Sequence, residues 1–320
     1  MTSPDAPARS VPTVTGQIDA SRLGRTLIHE HVAIGFDGCL LDSRVNIDRA
    51  DTFAAGQAAV MGVKNFGVTT LVDATPLEMG RDPVLLREVS EATGVNIICA
   101  TGLYTSDHGI PYYFREMPME DLADLYTQEI TVGIGETGIR AGVIKVATAS
   151  PPIKGVERKV LLAAAVAQRR TGTPIVSHTT GGGGDEQAKI LLEGGAHPDK
   201  IVIGHVDHKD SSMRYLLRIL RSGVSLGFDR VGLDVFLPEP VRAALVAGLL
   251  GAGHVERMFL ATDSYAEWLG PEVKLSPGQP APPPPYVHLF TSFLPALKAM
   301  GVTQAQIDQV LIDNPRRLFS

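Results

Sequence analysis

The chain has 320 residues, 44% of them apolar and 20% charged, with a formal net charge of −6. That balance belongs to an ordinary globular protein and argues against general affinity for nucleic acid or acidic membranes. Cys39 and Cys99 make neither a disulfide framework nor a Cys-x-x-Cys site, which fits a cytoplasmic setting.

No run approaches the roughly 20 apolar residues of a membrane span, and the first ten residues lack the apolar core of a secretion signal. Residues 1–15 read as a flexible N-terminus and 16–320 as a single domain. Length alone would suggest two domains, but α/β barrels commonly spend about 250 residues on one.

Short β-rich runs alternate with helical patterns along the chain. The expected strands are 26–31, 69–75, 96–103, 141–148, 173–178, 201–207, 224–230 and 258–264. Between them, Asp82-Pro83 reads as an N-cap with proline at the first helical position. Segments 120–132, 157–170, 185–193, 211–221 and 239–250 carry apolar residues at helical spacing, and a last helix covers about 303–312. Eight strand–helix repeats predict a (β/α)8 TIM barrel; an open doubly wound sheet lacks its Gly-x-Gly-x-x-Gly fingerprint here.

Polar residues gather at the C-terminal ends of these strands, the face on which barrels place their chemistry. They are His29, His31, Lys145, His178, His205, Arg230 and Asp263. In Thr26-Leu-Ile-His-Glu-His31 the two histidines are two residues apart, so a strand points both to one face. An isolated His-x-His also serves as a surface pair, but four histidines and an aspartate around one mouth exceed what one tetrahedral ion needs. Two ions would require a bridging ligand. Lys145 lies in the apolar run Gly142-Val-Ile-Lys-Val-Ala147, where it either snorkels to water or stands as a neutral amine or a carbamate. A two-metal site of this kind would activate water for hydrolysis, with Asp263 holding metal and relaying a proton.

The chain resembles the phosphotriesterase family of the amidohydrolase superfamily, and most closely its phosphotriesterase-like lactonases. The resemblance runs from about Gly16 to the C-terminus. It rests on Leu27-Ile-His-Glu-His31, Gly67-Val-Thr-Thr-Leu-Val-Asp73, Thr101-Gly-Leu-Tyr104, Gly142-Val-Ile-Lys145, Pro174-Ile-Val-Ser-His178, Ile203-Gly-His205, Phe228-Asp-Arg-Val-Gly-Leu-Asp234 and Asp313-Asn-Pro-Arg-Arg-Leu-Phe319. It implies that His29, His31 and Asp263 bind the more buried of two divalent ions and that His178 and His205 bind the other. N6-carboxylated Lys145 and a hydroxide would bridge the pair, zinc being the first expectation and cobalt, iron or manganese alternatives.

Tyr104 and Arg230 match active-site residues of the lactonases, although Tyr104 also reads as a rim aromatic and Arg230 as a partner of Asp229 or Asp234. The implied activity is opening of N-acyl homoserine lactones or other γ/δ-lactones, with promiscuous organophosphate triesterase activity and a quorum-quenching role. A dedicated phosphotriesterase or other ester hydrolase is the alternative, and a non-catalytic metal-binding barrel is the alternative from another class. The family also implies a homodimer, for which Tyr104, Tyr112, Tyr113 and Phe114 offer either an interface or core packing.

Three positions depart from the family pattern: Ala261-Thr-Asp263 in place of Ser-His-Asp, Val206-Asp207-His208 where a Gly-Asp pair is usual, and Val231 after the arginine. His208 is expected either to alter proton relay or to form a surface hydrogen bond. The segment 265–285, with Trp268, Leu269 and Val273, would roof the site or lie as a plain surface loop. Gly181 to Gly184 read as a flexible turn into the helix at 185–193.

Overall fold

The computed structural model describes residues 10–271 and 283–320. The strands are β1 (Ser10–Thr13), β2 (Gly16–Asp19), β3 (Arg25–Ile34), β4 (Val68–Asp73), β5 (Asn96–Leu103), β6 (Val143–Thr148), β7 (Ile175–Thr179), β8 (Ile201–Ile203), β9 (Ser225–Phe228), β10 (Met258–Leu260) and β11 (Tyr265–Trp268). From β3 to β10 each strand pairs in parallel with the next, and β11 pairs in parallel with β3. β10 and β11 are therefore the two halves of a broken eighth strand, one bound to β9 and the other to β3. That closes the (β/α)8 barrel. β1 and β2 form an antiparallel hairpin, so residues 10–15, grouped with the N-terminus in the sequence reading, are a strand and turn whose Val11 packs into the barrel floor.

The helices fall close to their expected places: Pro83–Thr93, Met119–Thr131, Gly155–Thr171, Gly184–Glu193, Met213–Leu220 and Glu239–Gly251. Asp82 caps the first of them, accepting from the Val84 and Leu85 amides at 3.0 and 2.9 Å. The structure adds a helix over Arg49–Lys64 that the sequence pattern does not predict. Its apolar positions are mostly alanine and it carries Gly56 and Gly62, so neither helical periodicity nor propensity is strong. The C-terminal helical stretch runs on to Phe319, beyond the expected 312.

Apolar residues form two layers. One lies between sheet and helices; the other fills the barrel floor with Ile28, Val72, Ile98, Val143, Val176, Val202, Phe259 and Ala261, closed below by Leu23, Leu318 and Phe319. Site residues stand above this floor at even spacing, Lys145 above Val143, His178 above Val176 and Asp263 above Ala261, because alternate residues of a strand share a face.

Two ligand candidates break that parity. In β3, the pairing with β4 slips between Leu27 and Glu30, and this bulge turns His29 inward directly after inward-facing Ile28. In β8, the expected strand to 207 ends at Ile203 because the chain turns at His205, with φ at 53°. A Cβ on Gly204 would lie 2.1 Å from the Ser177 carbonyl oxygen, so only glycine permits that turn.

Candidate metal centre

Six side chains expected to hold metal converge at the C-terminal end of the barrel. His29, Lys145 and His205 are fully buried, and His31 and His178 nearly so. The Asp263 carboxylate sits among them, with Oδ1 3.5 Å from His29 Nε2 and 3.3 Å from His31 Nε2, and Oδ2 3.3 Å from His205 Nε2. The His178 ring meets the His205 ring edge to face at 4.2 Å between centroids, and His205 stacks on His29 at 4.9 Å. Lys145 Nζ touches His29 Nε2 and pairs with no carboxylate among the described residues. The neighbouring strand lets it in: a Cβ on Gly102, whose register partner is Lys145, would lie 1.8 Å from the Lys145 carbonyl oxygen.

Each imidazole is oriented from behind. Asp229, fully buried, takes His29 Nδ1 on one oxygen and His205 Nδ1 on the other, both at 2.7 Å. His31 Nδ1 pairs with Thr75 Oγ1 at 2.8 Å, and His178 Nε2 with Thr180 Oγ1 at 3.1 Å. With Nδ1–H directed at Asp229, the Nε2 lone pairs of His29 and His205 face the cavity, the outer support that histidine ligands of metals receive. The sequence alone presents Asp229 only as a partner for Arg230; its inward parity with Ser225 and Gly227 is the signal that places it here.

The electrostatics favour ligating forms. Burial, reinforced by Lys145, pulls the His29 imidazole down to about 3, and burial with His205 beside it holds His178 well below the usual range. Both are neutral. Burial would raise the Asp263 carboxyl, but His205, His31, His29 and Arg230 together hold it well below the carboxylate range. Asp229 is likewise held low against burial by His205 and His29. Burial lowers the Lys145 amine to about 8 and pushes the Glu30 carboxyl up to about 8.

These residues fit a metal. His205 Nε2 is buried without a hydrogen-bond partner although Asp263 Oδ2 is 3.3 Å away, an orphaned lone pair that a cation would satisfy. The nitrogen-rich donor set suits zinc and neighbouring transition ions. His29, His31 and Asp263 bring their ligand atoms within 4.8 Å of one another.

Arg230 does not pair with Asp229 or Asp234. Its Nε lies 3.6 Å from Asp263 Oδ2, and its guanidinium stacks on Phe236 at 4.0 Å. Asp207 positions it, accepting the Arg230 amide at 3.2 Å while paired with fully buried Arg242 at 2.6 Å. Tyr104 Oη is 3.3 Å from the His178 ring nitrogens, and Glu78 holds the Tyr104 amide at 2.6 Å. Burial, then Asp263, raises the Tyr104 phenol, so it remains a donor.

His208 is neither a surface residue nor a hydrogen-bond partner of the centre. It is buried, its ring against Tyr215 and its Nδ1 accepting from the Asp210 amide. Tyr112 and Tyr113 are 76% and 70% exposed, apart from Tyr104, while Phe114 packs on the core. Gly181, Gly182 and Gly183 all take left-handed backbone before the helix at Gly184.

Above the polar floor the cavity wall is apolar and aromatic: Ile34, Phe36, Met79, Leu233, Phe236 and Trp268. Trp268 meets Phe36 edge-on at 5.1 Å. Leu269 is buried and packs beside Gly35 and Gly80 rather than in this cavity. Val273 and the rest of residues 272–282 in the 265–285 segment lie outside the described residues.

Residues 9–319 match the family model described as the phosphotriesterase family. A phosphotriesterase homology protein of Mycobacterium tuberculosis is 38% identical over 318 residues, covering 96% of each chain. An aryldialkylphosphatase of Saccharolobus solfataricus is 32% identical over 307 residues, 95% of this chain and 97% of its own. The crystal structure of a mutant phosphotriesterase-like lactonase from Deinococcus radiodurans superposes with a TM-score of 0.91 at 39% identity, covering 97% of this chain and all of that one.

Proposed function

The chain belongs to the phosphotriesterase family of hydrolases, and from that premise we propose that it opens lactones, N-acyl homoserine lactones or other γ/δ-lactones. The observation that carries this reading is the shape of the cavity. A polar floor of Tyr104, Arg230 and Asp263 lies beneath walls of Ile34, Phe36, Met79, Leu233, Phe236 and Trp268. A lactone ring with an apolar acyl tail matches both zones.

In this proposal His29, His31 and Asp263 hold one divalent ion and His178 and His205 the other, zinc being the first choice and cobalt, iron or manganese alternatives. Such a pair supplies Lewis acidity and a water of lowered pKa. Lys145 would serve both sites as a carbamate: its neutral amine would add to the carbon of CO2, forming an N–C bond as one C–O π pair moves to oxygen, and one proton would leave to solvent. The buried amine without a carboxylate partner supports this, because the anion removes the cost of an unpaired ammonium among cations.

Tyr104 Oη and the Arg230 guanidinium donate to the lactone and fix its carbonyl. Asp263 takes up the proton released as water adds and returns it to the alcohol oxygen of the opened ring. Asp229 keeps His29 and His205 in the required tautomer throughout. The aromatic walls exclude bulk water. Free Cys39 and Cys99 support a cytoplasmic setting, and among the described residues no helix is long and apolar enough to cross a membrane. Exposed Tyr112 and Tyr113 support a homodimer contact.

Phosphotriester hydrolysis is the second reading, favoured by similarity to the aryldialkylphosphatase. It needs the same activated water and polarised oxygen. The test is kcat/KM on metal-reconstituted protein for homoserine and δ-lactones against paraoxon. Lactones are expected to be preferred by orders of magnitude; preference for paraoxon would replace the lactonase reading with the phosphotriesterase one.

A further inference from the structure

We infer that Glu30 is a positioning residue that clamps Asp263 in its ligating conformation, an inference that rests on Asp263 being a metal ligand as proposed above. Glu30 stands between His29 and His31 and is fully buried. As its neighbours turn into the cavity, it turns toward the gap between the two halves of the eighth strand. There Oε1 accepts the Thr262 amide at 2.8 Å, while Oε2 accepts the Thr262 hydroxyl at 2.6 Å and the Ser264 amide at 3.1 Å. All three donors flank Asp263.

The clamp answers a local difficulty. Asp263 has φ at 51°, and with His205 it is one of two non-glycine residues in left-handed backbone among the described residues. That conformation is costly and persists only where the surroundings impose it. It also breaks the ladder, leaving the Thr262 and Ser264 amides to find partners inside the protein. The carboxyl group satisfies both, one on each oxygen, and these bonds oppose the burial that raises it. Main-chain bonds complete the hold: the Asp263 amide donates to the His29 carbonyl at 3.2 Å, and the His31 amide to the Ser264 carbonyl at 2.9 Å. The tripeptide 29–31 thus carries two ligands and fixes a third across the barrel seam. Glutamine at position 30 would have the same shape but a single acceptor oxygen, so one amide would face an NH2 group.

The test uses the full-length chain with Glu30→Gln, Thr262→Val and the double variant, each stripped of metal and titrated with cobalt(II) against a chelator. Wild type is expected to take up two ions. Glu30→Gln is expected to keep one at near wild-type affinity and to weaken the other at least about tenfold, with kcat falling and KM for a lactone little changed. Thr262→Val should weaken the same ion by a few-fold, and the double variant should be no worse than Glu30→Gln alone, as members of one network behave.

Wild-type affinity for both ions in Glu30→Gln would overturn the inference. So would equal weakening of both ions in either single variant, the mark of general loosening; Thr262→Val keeps this test open even if Glu30→Gln fails to fold. A wild-type protein that took up fewer than two ions would overturn the proposed centre itself, and the clamp with it.

Discussion

Replacing Asp263 by Asn is expected to lower kcat/KM roughly a thousandfold or more, about 4 kcal/mol of transition-state stabilisation, while leaving the fold intact. Asp263 sits at φ 51°, and asparagine is among the few residues that tolerate this region, so the variant isolates the charge from the turn. The carboxylate is the anion on which the site converges, with nitrogens of His29, His31 and His205 within 3.5 Å and Arg230 Nε at 3.6 Å. An amide offers one weak oxygen donor, no negative charge and no proton acceptor of useful basicity. Circular dichroism like wild type with collapsed turnover and reduced metal content is the expected result. Near-normal rates would remove Asp263 from the catalytic set.

The second large effect is expected at Lys145. Methionine has similar length and flexibility and fills the same buried volume, so Lys145→Met removes the amine without opening a cavity. Desolvating that amine is costly, and the metal-free variant is therefore expected to unfold at a temperature no lower than wild type. Its metal content should fall below two ions per chain, and kcat/KM should drop by about a thousandfold. A gain in apo stability with loss of function is the stability–activity exchange expected where a buried polar group is kept for chemistry. Two-metal loading with full activity would contradict the bridging role.

Much of this was legible in the sequence because strand parity carries it. Lys145, His178 and Asp263 each follow, two residues on, an apolar residue of the barrel floor, so a period of two places them without coordinates. His29 and His205 sit off that parity. A bulge turns the first inward and a left-handed turn the second, and neither leaves a clear mark in a single sequence beyond the glycine before His205. The β-prone run Met-Phe-Leu-Ala predicts a strand continuous over 258–264, whereas the amides freed at the break are taken by Glu30, distant in sequence. The supporting residues were the least visible. Asp229, Thr75, Thr180 and Glu30 act through contacts with partners far along the chain or through orientation alone. The helix at Arg49–Lys64 escaped because alanine and glycine give little amphipathic contrast.

His208 shows how a departure from family pattern resolves into packing. Its ring lies on Tyr215, while the neighbouring Asp207 works on Arg230 through the amide and through the buried Arg242 pair. Losing one partner of such a pair costs about 3–5 kcal/mol, so this end of the cavity is set by a rigid, not an adaptable, element.

The metal content of the reconstituted, desalted protein, read per chain by plasma mass spectrometry alongside lactone turnover, bears most directly on a two-metal centre. Two ions per chain are expected, with activity rising only as the second is filled. Full activity with a single ion, or with none, would rule that centre out.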